Sequence, residues 1–165
     1  MSAIETVQYS LIESPVGTLL IGATPRGLRY LLFHRGELPQ PAKNEVWVEF
    51  SAELRTYEDQ LRAYFRGDLR EFSFDLDLIG TDFQKKCWNA LCEIPYGQTC
   101  CYAELAEKVG RPRAFRAVGQ ANHRNPVAIV VPCHRVVGAN GTLTGYGGGL
   151  EVKEKLLKLE GARLF

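Results

Sequence analysis

The run PVAIVVPCHRVV, residues 126–137, sets Cys133 and His134 side by side between Pro132 and Arg135. A cysteine in that company suits nucleophilic attack on an electrophilic carbon, for which the thiolate and not the thiol is the reacting form. The chemistry therefore calls for a cation, a histidine or a helix N-terminus that brings the thiol pKa down. Pro132 removes a backbone donor and fixes φ, so Cys133 is expected where a strand ladder would be interrupted after the inward-running VAIVV. His134 is the candidate base, yet neighbouring side chains on an extended segment point to opposite faces. Either the backbone turns at Cys133 or a water carries the proton. A base also wants an orienting group on its other ring nitrogen, usually a carboxylate. LEVKEKLLKLEG, residues 150–161, offers Glu151, Glu154 and Glu160, and spacing alone does not choose among them.

Residues 138–149, GANGTLTGYGGG, follow at once. Their glycines allow positive φ and close backbone approach, so the loop can wrap a ligand with main-chain groups, and Tyr146 can stack on a planar ring. Taken alone, the same glycines describe a surface turn.

Charge is divided unevenly around these residues. The whole chain of 165 residues carries a net charge of only +1. Residues 1–80 hold 8 Lys and Arg against 12 Asp and Glu, and residues 81–165 hold 12 against 7. No acidic residue lies between Glu107 and Glu151, whereas Lys108, Arg111, Arg113, Arg116, Arg124 and Arg135 all do. So one-sided a stretch points to a polyanion.

The elements that must position these groups are mostly helical. Thr81 or Asp82 caps a helix with Phe83, Cys87, Trp88 and Leu91 on its apolar side. A helix over roughly Tyr102–Val109, the turn GRPR and a helix in AFRAVGQANH make a helix-turn-helix pattern. Ala114, Ala117, Gly119 and Ala121 let the second helix approach its neighbour closely, whether that neighbour is a groove or another helix; the charge asymmetry favours DNA. His123 and Arg124 end this helix within reach of phosphate. Ahead of Gly80, VQYSLI, TLLIGA and GLRYLLF read as strands, GELPQPAKNE as a loop, Glu49–Phe65 as a helix ending at Gly67, and REFSFDLDLIG as a half-buried strand. The chain thus divides at 1–80, a supporting α/β domain, and 81–165, which carries the chemistry. Trp47 and Trp88 are expected in the core, while Cys87, Cys92, Cys100 and Cys101 read as packing and not chemistry, the vicinal pair being open to oxidation. Five cysteines without framework spacing read as free thiols of a reducing cytosol. No run reaches membrane-spanning length and the start has no secretion-signal pattern, so the expected setting is cytoplasmic.

NPVAIVVPCHRVVGANGTLTGYGGGLEVKEKLLKLEG resembles the active-site region of the O6-alkylguanine-DNA alkyltransferases, the methylated-DNA–protein-cysteine methyltransferases. TDFQKKCWNALCEIPYGQT, YAELAEKVG and RAVGQAN resemble the flanking blocks in the same order. The resemblance implies an α+β fold: a small N-terminal α/β, ribonuclease H-like domain, then a mostly helical winged helix-turn-helix domain. It implies that Cys133 takes the alkyl group from O6 of guanine irreversibly, as a thioether, with His134 acting through a water and Glu160 orienting it. Asn125 would tie the turn of the cysteine loop, and Tyr102 would protonate the leaving guanine and help rotate the nucleotide out. Arg116 would fill the vacated gap, with Ala117, Gly119, Ala121 and Arg124 against the duplex. Backbone of Cys133 and Val136 would hold the guanine edge, while Tyr146, Gly147 and Gly148 line the pocket. The implied partner is double-stranded DNA containing O6-alkylguanine. No cofactor, metal or membrane is implied, and the zinc site of some members lacks ligands, since residues 1–80 have no cysteine and only His34. A monomer in solution is expected, with a continuous basic surface that leaves room for cooperative assembly on DNA. This chain departs from the pattern at Cys87, Cys101, Phe115 and Gly147. A cysteine hydrolase would need a more distant histidine, and His34 and His123 are poorly set for it. A helix-turn-helix regulator would leave the PCHR run idle.

Overall fold

The computed structural model describes residues 3–50 and 52–163, in two compact units, one ending at Leu78 and the other beginning at Ile79. In the first, β1 (Glu5–Ser14), β2 (Gly17–Thr24) and β3 (Gly27–Phe33) form an antiparallel meander, and β4 (Glu45–Glu49) joins parallel to β1 in the order β3-β2-β1-β4. β2 is buried from Leu19 to Thr24, which explains its unbroken apolar run LLIGA: a central strand covered on both faces has no solvent side to make polar.

β4 falls where the sequence suggests the end of a loop and the start of a helix. EVWVE alternates with β-favouring types, but a strand so short gains its ladder only from β1. Trp47 is consequently half-buried at the sheet edge, against Tyr9 and Tyr30 at ring distances of 5.8 and 5.1 Å, and not in the core. The helix expected from Glu49 begins later: after a 3₁₀ turn at Ala52–Leu54, α1 runs Arg55–Phe65.

Residues 71–78 are not a strand. Burial alternates as far as Leu76, with Phe72, Phe74 and Leu76 partly covered, but Asp77 is buried and, among the described residues, only Leu28 and Leu76 form a bridge. The segment is a strap held at its end. Leu28 N–H donates to Asp75 O and Asp77 N–H to Leu28 O, at 2.9 and 2.8 Å. The Asp77 carboxylate receives Arg29, 2 % exposed, at 2.7 Å and the Thr24 hydroxyl. Arg29 also meets Glu5 and, at 3.0 Å, Glu45. Burial alone would raise the Asp77 and Glu45 carboxyls, but Thr24 and Tyr30 hydroxyl donors together with Arg29 hold both below their ordinary values.

The second unit opens with α2 (Asp82–Cys92). Thr81 is its cap: Gln84 N–H donates to Thr81 Oγ1 at 3.1 Å and Thr81 N–H to Gln84 Oε1 at 3.0 Å. Trp88 is buried and its indole N–H donates to Ala121 O at 2.8 Å. β5 (Cys100–Cys101) leads into α3 (Tyr102–Lys108), which a turn joins to α4 (Phe115–His123). β5 pairs in parallel with β6 (Val136–Val137), bringing the start of α3 beside the residues that follow Cys133. α5 (Leu150–Leu159) buries Lys153, Leu156 and Leu157, with Glu160 closing it.

Candidate active site and nucleic-acid face

VAIVV does not run as a strand into Cys133. It is a succession of tight turns: Val130 N–H donates to Ala128 O, Val131 N–H to Val127 O and Cys133 N–H to Val131 O. Ile129 sits at φ 71°, a left-handed conformation that a β-branched residue enters at a cost of roughly 1–3 kcal/mol. Asn125 spans the fold of this segment. Its Nδ2 donates to Val131 O at 2.8 Å and its Oδ1 accepts Val127 N–H at 2.9 Å.

Cys133, His134 and Arg135 form a single 3₁₀ turn, so the backbone does turn at the cysteine. His134 is fully buried, and its Nε2 lies 2.7 Å from Glu160 Oε1. An ionised carboxylate only accepts, so Nε2 carries the ring proton and Nδ1 presents a lone pair. Nδ1 is buried without a protein partner. Arg135 closes the other side of Glu160 with Nε to Oε2 at 2.9 Å and Nη2 to Oε1 at 3.0 Å, while its Nη1 donates to Ile94 O at 2.7 Å. Burial would raise the Glu160 carboxyl, yet the His134 and Arg135 donors bring it down to about 2. Burial lowers the imidazole pKa despite Glu160, so His134 rests neutral and able to accept a proton.

The Cys133 thiol departs from the sequence expectation. Enclosure pushes its pKa up, against hydrogen bonds from Asn125 and Tyr146 and the charge of Lys153. These groups favour the thiolate but do not outweigh desolvation in the resting protein, where Cys133 is only 7 % exposed.

Lys153 was not legible as a site residue. It is fully buried, donates from Nζ to Val136 O at 2.6 Å and to Thr144 O at 3.2 Å, and burial lowers its pKa to about 8, although the Cys133 thiolate favours the charge. The signal was present in α5: Lys153, Leu156, Leu157 and Glu160 follow i, i+3, i+4, i+7, which puts both charges on the apolar face. The backbone expected to hold a guanine edge is already engaged. Val136 N–H donates to Cys133 O and Val136 O accepts Lys153, though each carbonyl keeps a second lone pair. Tyr102 begins α3, its hydroxyl 3.2 Å from Thr144 Oγ1. Tyr146 and Gly148 are half-covered and Gly147 is exposed.

On α4, Phe115, Arg116, Ala117, Gln120, His123 and Arg124 are exposed and Gly119 is half-exposed. Ala121 is not on this face. It lies with Val118 and Asn122 on the arc turned to the interior, 3 % exposed, and its carbonyl takes the Trp88 indole. Arg111 and Arg113 are exposed in the turn before α4, with Arg111 over the Phe83 ring at 5.5 Å.

A buried cysteine followed in one turn by an imidazole held by Glu160, in a helical unit with a basic helix face, is an arrangement suited to chemistry on a cysteine. Two family models cover nearly all of it: the ribonuclease-like domain of 6-O-methylguanine DNA methyltransferase matches residues 7–78, and the DNA binding domain of the same family matches residues 82–162. The chain belongs to the 6-O-methylguanine DNA methyltransferase family. A methylated-DNA–protein-cysteine methyltransferase of Methanosarcina acetivorans is 53% identical to it over 157 residues, 93% of this chain and 98% of the relative. One from Mycobacterium tuberculosis is 48% identical over 160 residues, 95% and 94% of the two chains. The solved structure of Mycobacterium tuberculosis O6-methylguanine methyltransferase matches with a TM-score of 0.84 at 47% identity, covering 94% of this chain and 93% of that one. The Mycobacterium tuberculosis OGT structure in complex with DNA matches at 0.83, with 47% identity and the same coverage.

Proposed function

We propose that this chain reverses DNA alkylation directly, moving the alkyl group from O6 of guanine onto Cys133. The observation that carries the reading is the Cys133–Arg135 turn. It joins Cys133 directly to a histidine whose Nε2 is committed to Glu160 at 2.7 Å and whose Nδ1 is left to accept. The Cys133 proton passes through a water to Nδ1, Glu160 supports the resulting imidazolium, and Lys153, Asn125 and Tyr146 favour the thiolate. Sγ then attacks the alkyl carbon as the C–O6 bond breaks. The bonding electrons go to the guanine, which takes a proton from Tyr102, leaving unmodified guanine and a cysteine thioether. A thioether does not hydrolyse at neutral pH, so on this reading each molecule acts once.

O6 inside a base stack is out of reach, so the nucleotide is rotated out, at a cost of about a few kcal/mol. Arg116, central on the exposed arc of the second helix of a helix-turn-helix, fills the space it leaves. Arg111, Arg113 and Arg124 engage phosphates, which gives affinity without sequence preference. The protein acts as a monomer on chromosomal DNA in the cytoplasm, with room for side-by-side binding. No described helix is long and apolar enough to cross a membrane.

Incubation with duplex DNA carrying O6-methylguanine, followed by intact mass and peptide mapping, tests the reading. One added methyl on Cys133, absent in Cys133→Ser and reached at one per molecule, supports it. Binding without a mass gain would replace it with lesion sensing.

A further inference from the structure

We infer that Thr144 sets the direction of the Tyr102 hydrogen bond and is a positioning residue for the proton that Tyr102 delivers to the departing guanine. The inference rests on the role given to Tyr102 above. Tyr102 Oη and Thr144 Oγ1 are 3.2 Å apart, and from that distance alone either could donate. Lys153 biases the choice. Its Nζ lies 3.5 Å from Thr144 Oγ1 and 3.2 Å from Thr144 O, and an ammonium has only donors. A Lys153 donor on one lone pair of Oγ1 polarises the Thr144 O–H and makes the remaining lone pair the poorer acceptor, which favours donation from Thr144 to Tyr102 Oη. With Thr144 as the donor, the Tyr102 O–H is the group turned towards a substrate.

Both ends of this chain of donors are anchored. Lys153 is fully buried and held at 2.6 Å by Val136 O, and the β5–β6 pairing fixes the start of α3 beside Val136 and Val137. Other threonine hydroxyls of the loop need not serve the site: Thr142 spends its own on Asn140 Oδ1 at 2.7 Å, closing the turn locally. Without the Thr144 hydroxyl, the Tyr102 phenol becomes a free rotor that offers a substrate a lone pair as readily as a proton.

The test compares Thr144→Val, which keeps the shape and removes the hydroxyl, with Thr144→Ser, which keeps the hydroxyl. Single-turnover transfer from O6-methylguanine duplex separates the maximal rate constant from the DNA concentration giving half of it. Thr144→Val is expected to lower the rate constant by roughly tenfold, the scale of one neutral hydrogen bond, with the half-saturating concentration unchanged and Thr144→Ser restoring the rate. In a Tyr102→Phe background the Val substitution should cost nothing more. A wild-type rate in Thr144→Val, a Ser variant as slow as the Val variant, or a loss undiminished in Tyr102→Phe would each overturn the inference. Wild-type protein that gains no methyl would instead overturn the proposed activity itself.

Discussion

Lys153 and Glu160 occupy positions i and i+7 on the buried face of α5 and send opposite charges to adjoining parts of the cysteine turn. The ammonium goes to Val136 O at 2.6 Å, and the carboxylate to His134 at 2.7 Å and Arg135 at 2.9 Å. One helix thus supplies both the cation that favours the thiolate and the anion that favours the imidazolium. Rotating α5 would disturb both at once.

Replacing Glu160 with Gln leaves the buried Arg135 guanidinium without its carboxylate. A loss of about 3–5 kcal/mol of stability is expected, read from urea unfolding at neutral pH. The wild-type pH dependence follows from the same group. Its carboxyl titrates at about 2 in place of 4.5. Its contribution is therefore complete above pH 4.5 and lost as the pH falls towards 2, and Glu160→Gln should flatten that limb.

Lys153→Met keeps a long apolar stem but removes the cation near Sγ and leaves two carbonyls without a donor. Methyl transfer should slow by about ten- to a hundredfold, since one charge beside a partly desolvated thiolate is worth a few kcal/mol at most. Burial brings the lysine to about 8, so its charge is complete below that pH and disappears above it. An alkaline decline in the wild-type rate near pH 8, missing from Lys153→Met, is the signature to seek in a mass-spectrometric time course.

Arg124→Gln should weaken binding to undamaged duplexes uniformly across sequences and reduce the slope of log K against log salt by about one. Arg116→Ala should instead impair transfer from duplex DNA while leaving transfer from the free O6-alkylguanine base unchanged. Equal losses on both substrates would contradict its place in the duplex.

Gly27 has φ +146°, and a Cβ there would stand 2.5 Å from Asp75 O. Gly27→Ala pushes the strap away from β3 and is expected to cost upwards of about 1 kcal/mol through strain at a position no L side chain favours. Differential scanning calorimetry, with Gly17→Ala as a control for positive φ without a close neighbour, separates collision from strain.

What the sequence made legible follows local chemistry. The cap at Thr81 or Asp82, the helices carrying Trp88 and Arg116, and the candidate cysteine and histidine all announce themselves through short-range pattern. β4 did not, because EVWVE is a strand only through its pairing with β1. The alternation in FSFDLDL promised a ladder, whereas the segment has one bridge and is held by Arg29 and Leu28, far away in sequence. Ala121 was grouped with its small neighbours until the helix phase turned it inward. Lys153 was passed over since a lysine in an amphipathic helix normally faces water, and only the count from Glu160 reveals its side. Nucleophilic attack calls for a thiol of lowered pKa; its enclosure, a three-dimensional property, acts the other way.

That enclosure bears on selectivity over time. A sulfur kept protonated and 7 % exposed reacts sluggishly with peroxide or stray electrophiles in the surrounding fluid. On the proposed mechanism, proton transfer through water to His134 is what releases its reactivity. For the single-event transfer proposed above, such dormancy lengthens the interval during which a molecule remains competent.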